Sequence, residues 1–186
     1  MLPGLPATGP VAEAFPPSFG RLGREGFVVE IVPEQGKLWV GNFARGLSNF
    51  SEAYEHPDRK HLFVVSGGHG YVIEPSTRRL VSEIGAAIIG VSELPDPPSL
   101  LVNHQGIMFE RLGPQGRLWR TRRLSWDGLK DVQLGAETIS GLGWVAPTGT
   151  WEPFEVDVRT GRTTRTVYVG PDLTDGEVLR SDGAAA

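Results

Sequence analysis

Four histidines, His56, His61, His69 and His104, are the side chains best suited to acid–base or metal chemistry in this chain. An imidazole titrates near neutrality and ligates through either ring nitrogen. His56 and His61 flank a polar turn, His56-Pro57-Asp58-Arg59-Lys60-His61, while His69 and His104 fall one place apart in two glycine-bearing turns taken as equivalent. A metal site needs three or four converging ligands, and no pair here has HxH or HExxH spacing, so no metal ligands are assigned. If equivalent turns lie side by side, the histidines share one rim with Asp58 or Asn103. That is the alternative site, and solvated turn histidines are the plainer reading.

Other chemical patterns are weaker. Gly67-Gly68-His69-Gly70 has the composition of a phosphate loop, but a phosphate cradle needs a helix start behind its glycines. The residues after these glycines, Tyr71-Val72-Ile73-Glu74-Pro75, read as a strand. Ser66 lies near His69 without a Gly-x-Ser-x-Gly elbow, so no catalytic residue is assigned. The strongest local anomaly is the run from Arg117 to Trp126, with arginines at 117, 120, 122 and 123 and tryptophans at 119 and 126. Strand alternation puts Leu118, Arg120, Arg122 and Leu124 on one face and Trp119, Thr121 and Arg123 on the other. Both faces mix charge with apolar bulk, as an edge or interface strand does: solvated arginines that protect an edge are the plainer reading, a protein interface the sharper one, and nucleic acid the least favoured at net charge −4. Arginine and tryptophan are enriched in binding hot spots. Arg117, Trp119, Arg120, Arg122, Arg123 and Trp126 are therefore the predicted partner-binding set, with Trp144 and Trp151 read as packing residues.

These groups have to be held by something, and composition says what. Gly (25) and Pro (15) make a fifth of the 186 residues, which implies many turns and hence short strands. A net charge of −4 removes the global drive toward nucleic acid or anionic membrane, so the expected partner is a protein. With no cysteine there is no disulfide framework or thiolate site. No long apolar run or basic leader is present, so the expectation is a cytoplasmic protein without a membrane span or cofactor.

The chain repeats itself. Val29-Glu30-Ile31-Val32-Pro33-Glu34-Gln35-Gly36-Lys37-Leu38-Trp39 matches Phe109-Glu110-Arg111-Leu112-Gly113-Pro114-Gln115-Gly116-Arg117-Leu118-Trp119. Shorter copies start at Tyr71 and Phe154. Their acids fall at 30, 74, 110 and 157, about one four-stranded antiparallel unit per period. Each copy reads as a hairpin: an apolar strand, a carboxylate that accepts hydrogen bonds from the turn backbone, a left-handed glycine, then a strand with a basic residue. Arg78 stands where the second copy expects that glycine, so its turn either changes type or tolerates strain. A preceding hairpin runs from His61 to Ile73 and recurs from Ser99 to Phe109, with Gly106 matched to Gly70. Residues 49–55 are divided between a short helix, capped by Asn49 and Glu52, and the strand their place in the repeat demands.

The phrase EHPDRKHLFVVSGGHGYVIEPSTRRLV resembles blades of β-propellers of the quinoprotein and YVTN kinds, over roughly residues 27–170. The resemblance implies four-stranded antiparallel sheets and no particular activity. The expected fold is all-β: an antiparallel meander of about three and a half propeller-like repeats, incomplete or arc-like, with a small four-bladed ring or a β-sandwich as alternatives. Residues 1–26, rich in proline and glycine, are expected to be extended or disordered, and an extended segment of this kind can cover a sheet edge. Residues 171–186 read as an acidic tail. The functional expectation is a non-catalytic interaction module for a protein partner. The alternatives are an enzyme or small-ligand binder using the loop histidines, and a module that closes by forming a homodimer.

Overall fold

A computed structural model describes residues 1–2, 4–5, 11–20 and 23–168. The acidic tail at 171–186 lies outside the described residues. The chain divides into two compact units, Met1–Ile89 and Gly90–Ala186. No helix among the described residues is long and apolar enough to cross a membrane.

The first unit holds two sheets. Strands β1 (Glu13–Phe15), β2 (Phe27–Ile31) and β3 (Trp39–Phe43) form a three-stranded sheet in the order β1-β3-β2, with the single-turn helix α1 (Pro17–Gly20) after β1. Strands β2 and β3 are the antiparallel hairpin expected around the Gln-Gly turn, Gly36 taking a φ of 112°. β1 instead pairs in parallel with β3 and so covers its other edge. Phe15 from β1 is buried and stacks on Phe43 with ring centroids 4.8 Å apart. The proline-rich segment thus contributes to the core, where it joins Phe27, Val29, Ile31, Trp39, Val64, Tyr71 and Ile73.

Strands β4 (Glu52–Glu55), β5 (Leu62–Ser66), β6 (His69–Glu74) and β7 (Arg79–Ile84) form an antiparallel meander. The central strands β5 and β6 are apolar almost throughout and nearly all buried, while β4 and β7 at the edges are largely exposed. Residues 52–55 are strand, not helix. The polar groups beside a would-be helix start are committed elsewhere: Ser48 Oγ donates to the Ile88 carbonyl at 2.6 Å, and Ser51 Oγ accepts from Gly67 N–H at 2.8 Å. At the β6–β7 turn Arg78 keeps the left-handed conformation, φ 59°, that the other copies give to glycine.

The second unit is built of two four-stranded antiparallel sheets, the first strand beginning two residues before the division. Strands β8 (Ile88–Pro95), β9 (Pro98–His104), β10 (Met108–Gly113) and β11 (Gly116–Arg120) make one antiparallel four-stranded sheet. Strands β12 (Leu129–Leu134), β13 (Thr138–Val145), β14 (Thr150–Asp157) and β15 (Thr163–Arg165) make another. Leu101, Phe109, Trp119, Leu124, Ile139, Phe154, Val156 and Val158 form its core. The protein is all-β, built of antiparallel meanders with β1–β3 the one parallel pairing among the described residues.

Hairpin register corrects one correspondence. The β5–β6 turn is Gly67-Gly68 and the β9–β10 turn is centred on Gln105-Gly106, with φ positive at all four positions as a type I′ turn demands. Gly106 therefore matches Gly68, not Gly70. His104 precedes its turn, as Ser66 does, whereas His69 comes after its own, so the two histidines are not equivalent.

Candidate functional site

The turn joining β4 to β5 brings three ligating side chains together. Pro57 fixes its own φ near the value a turn needs, and Asp58 supplies an oxygen for the backbone just beyond it. Asp58 Oδ1 accepts from Lys60 N–H at 2.9 Å and His61 N–H at 3.1 Å. The turn is closed by His56 N–H donating to the His61 carbonyl at 2.9 Å and Arg59 N–H donating to the His56 carbonyl at 2.8 Å. Closure leaves both imidazoles facing one carboxylate. His61 Nδ1 lies 2.6 Å from Asp58 Oδ2, and His56 Nδ1 lies 3.1 Å from Oδ1. The rings meet edge to face at 5.9 Å, with His56 buried and His61 partly open. Taking one donor atom from each, the three residues lie within 4.8 Å of one another. Burial by itself would raise the Asp58 pKa, but the hydrogen bonds from Lys60, His61 and His56 outweigh it and hold the carboxyl far below the usual carboxylate range.

The other histidines have separate carboxylate partners. His69 Nε2 lies 2.8 Å from Glu83 Oε2, and its ring stacks on Tyr71 at 4.6 Å. Burial, with Glu83 nearby, pushes the Tyr71 hydroxyl up to about 12, and that hydroxyl donates to the Ala44 carbonyl at 2.9 Å. Both are structural commitments. His104 and Glu110 are buried in the second unit, with His104 Nε2 3.1 Å from Glu110 Oε2 but outside hydrogen-bond geometry. The cross-strand register explains the meeting: Met108 opposes His104, and Glu110 is two residues on along the same face of β10. Ser66 is fully buried and donates to the Phe43 carbonyl at 2.8 Å, which leaves no hydroxyl for attack.

The Arg/Trp run divides. Trp119 belongs to the core: it is buried, its indole N–H donates to the Val158 carbonyl at 3.1 Å, and its ring packs where a Cβ on Gly161 would stand 2.5 Å away. A folded chain does not present it to a partner. Arg117 is exposed on β11, the edge strand of its sheet. Arg120 lies across from Glu110 and directs Nε and a terminal nitrogen at Met108 Sδ, at 3.3 and 3.0 Å. Strand pairing ends at Arg120, so the alternation predicted through Leu124 breaks: Leu124 and Ser125 are both buried. Arg122 is partly buried. Arg123 is exposed, donating through Nε to the Ser125 carbonyl at 2.7 Å and through a terminal nitrogen to the Trp126 carbonyl. Its guanidinium lies 5.2 Å from the Tyr168 ring centroid, and Trp126 packs on the same tyrosine at 4.9 Å. Tyr168 carries no sequence signal that singles it out.

No protein-family model matches the chain, and no curated protein or solved structure is significantly similar to it.

Proposed function

We propose that this chain is a non-catalytic β module that docks a protein partner bearing an acidic surface. The docking face is β11 with the segment after it, through Arg117, Arg120, Arg122, Arg123 and Trp126, joined by Tyr168. The observation that carries the reading is the packed trio Arg123, Tyr168 and Trp126. Two backbone carbonyls hold the Arg123 guanidinium in place before any partner arrives. Such a group loses little rotamer freedom on binding, and side-chain ordering otherwise costs roughly 0.5–1.5 kcal/mol per residue. Arginine and tryptophan in one partly exposed cluster supply the residue types that dominate hot spots. Net charge −4 argues against a nucleic-acid backbone as the anionic partner, since the chain as a whole does not favour polyanion approach.

Affinity capture from extract of the native host tests it. Wild-type protein and an Arg79→Glu control are expected to retain one stoichiometric protein, and an Arg122→Glu/Arg123→Glu variant to lose it. Retention by the double variant, a nucleic acid in place of a protein, or no stoichiometric partner would each reject the reading. A second reading, ligand binding by loop histidines, is favoured by the convergence of His56 and His61 on Asp58.

A further inference from the structure

We propose that His56, Asp58 and His61 form a binding site for one divalent transition-metal ion of the zinc class. The donor set is right in kind: two imidazoles and a carboxylate are ordinary zinc ligands, and three protein ligands leave a fourth position for water or a ligand. It is also right in size. Bonds of 2.0–2.1 Å at tetrahedral angles place neighbouring donor atoms about 3.3 Å apart. His61 Nδ1 is 2.6 Å from Asp58 Oδ2 and His56 Nδ1 is 3.1 Å from Oδ1, and one donor atom from each residue lies within 4.8 Å of the others, a spread that brackets that spacing.

A hydrogen-bonded turn alone accounts poorly for His56. Its Nδ1 is 3.1 Å from Asp58 Oδ1, an acceptor, and 3.4 Å from Asp58 N–H, a donor. With a proton, Nδ1 opposes the N–H; without one, its lone pair opposes the oxygen. A cation shared by Nδ1 and the carboxylate relieves that conflict. At His61 the ion takes the place of the proton that bridges Nδ1 and Asp58 Oδ2.

The surroundings support a cation site. Asp58 Oδ1 is oriented by the backbone N–H groups of Lys60 and His61, the kind of outer-shell support that fixes a ligating carboxylate, and Oδ2 is left for the ion. Arg59 and Lys60 are exposed and carry the opposing charge into solvent. The partly open His61 provides the entry side.

The test uses the full chain after chelator treatment and dialysis, titrated with zinc by calorimetry and with cobalt(II) by visible absorption. One ion per chain is expected, with the intense d–d bands of a four-coordinate cobalt centre. His61→Ala is expected to lower zinc affinity at least tenfold. Asp58→Asn preserves an Asx turn while removing the charged ligand, so it should retain the wild-type circular dichroism and lose affinity to a similar degree. His69→Ala should bind as wild type does. No uptake at micromolar free zinc, unchanged affinity in folded Asp58→Asn, or an equal loss in His69→Ala would overturn the assignment.

Discussion

Glu110 and Arg111 are neighbours on β10, and the pleat sends them to opposite faces, where both are buried. Arg111 is fully employed, donating to Ser99 Oγ at 2.8 Å, the Val158 carbonyl at 3.0 Å and the Pro97 carbonyl at 3.3 Å. Burial lowers its pKa from the ordinary arginine value. Glu110 has the less complete shell, with His104 at 3.1 Å and Arg120 at 3.9 Å. Removing one partner of a buried polar pair leaves the other desolvated and unpaired, at about 1–3 kcal/mol, whereas replacing both by apolar groups can be nearly neutral. Glu110→Ala should therefore lower stability by about 1–3 kcal/mol in urea denaturation, and His104→Leu/Glu110→Leu by less than the two single changes summed. Glycines divide in a similar way. Gly36 at φ 112° has only Pro33 Cγ, at 3.7 Å, near the position an added Cβ would take. Gly36→Ala should then cost about 1 kcal/mol for conformation alone. Gly161 at φ 69° would drive a methyl onto the Trp119 ring, adding about 1–3 kcal/mol of overpacking. Thermal denaturation of the two alanine variants should separate them clearly.

Hairpins are the elements most legible in the sequence, because turn glycines, flanking β-branched residues and a recurring acid are all local signals. The repeated acids do not share one fate. Asp157 accepts from Thr160 N–H at 2.6 Å as a turn carboxylate should, while Glu110 is buried against His104, a result of packing that spacing does not encode. Arg78 shows how a turn tolerates the wrong residue. Its side chain lies 5.6 Å from the Trp39 ring centroid and 3.6 Å from Glu13, contacts that offset a left-handed cost of about 1–2 kcal/mol. The His56-x-Asp58-x-x-His61 arrangement escapes a reading by motif because its ligands converge through turn closure, outside the helical or alternating spacings that standard motifs use. β1 is hidden for another reason. Its segment is crowded with prolines, and three residues carry no period, yet Phe15 is 2% exposed and packs on Phe43 and on Trp39 at 5.9 Å. Phe15→Ala should cost about 3–5 kcal/mol, measured by urea denaturation. A loss below about 1 kcal/mol would mean that β1 is not part of the folded core.

For the whole molecule, the repeat links stability to pH. Two copies pair their acid with a threonine three residues on. Glu74 accepts from Thr77 Oγ1 at 2.7 Å, and Asp157 accepts from Thr160 Oγ1 at 2.7 Å. The Thr77 hydroxyl, aided by Arg79, holds Glu74 below its ordinary value, and the Thr160 hydroxyl and backbone N–H do the same for Asp157. In the other copies proline and glycine, Pro33 and Gly113, stand at that third position, so they have no such staple. A carboxyl whose folded pKa is depressed binds fewer protons folded than unfolded over the interval between the two values. Stability therefore rises with pH through that interval, is fully present above the unfolded carboxyl pKa, and is lost as pH falls through the folded one. The part of the urea midpoint that these two carboxylates supply should be flat near neutrality and decline once pH drops below about 4, where unfolded carboxyls begin to protonate. A Thr77→Val/Thr160→Val variant removes the donors and not the acids. Its midpoint should lie below wild type near neutral pH, with the gap narrowing in strong acid, at about pH 2, as both carboxyls protonate in either protein. A constant gap across that range would assign the threonines a packing role and remove the turns from the pH response.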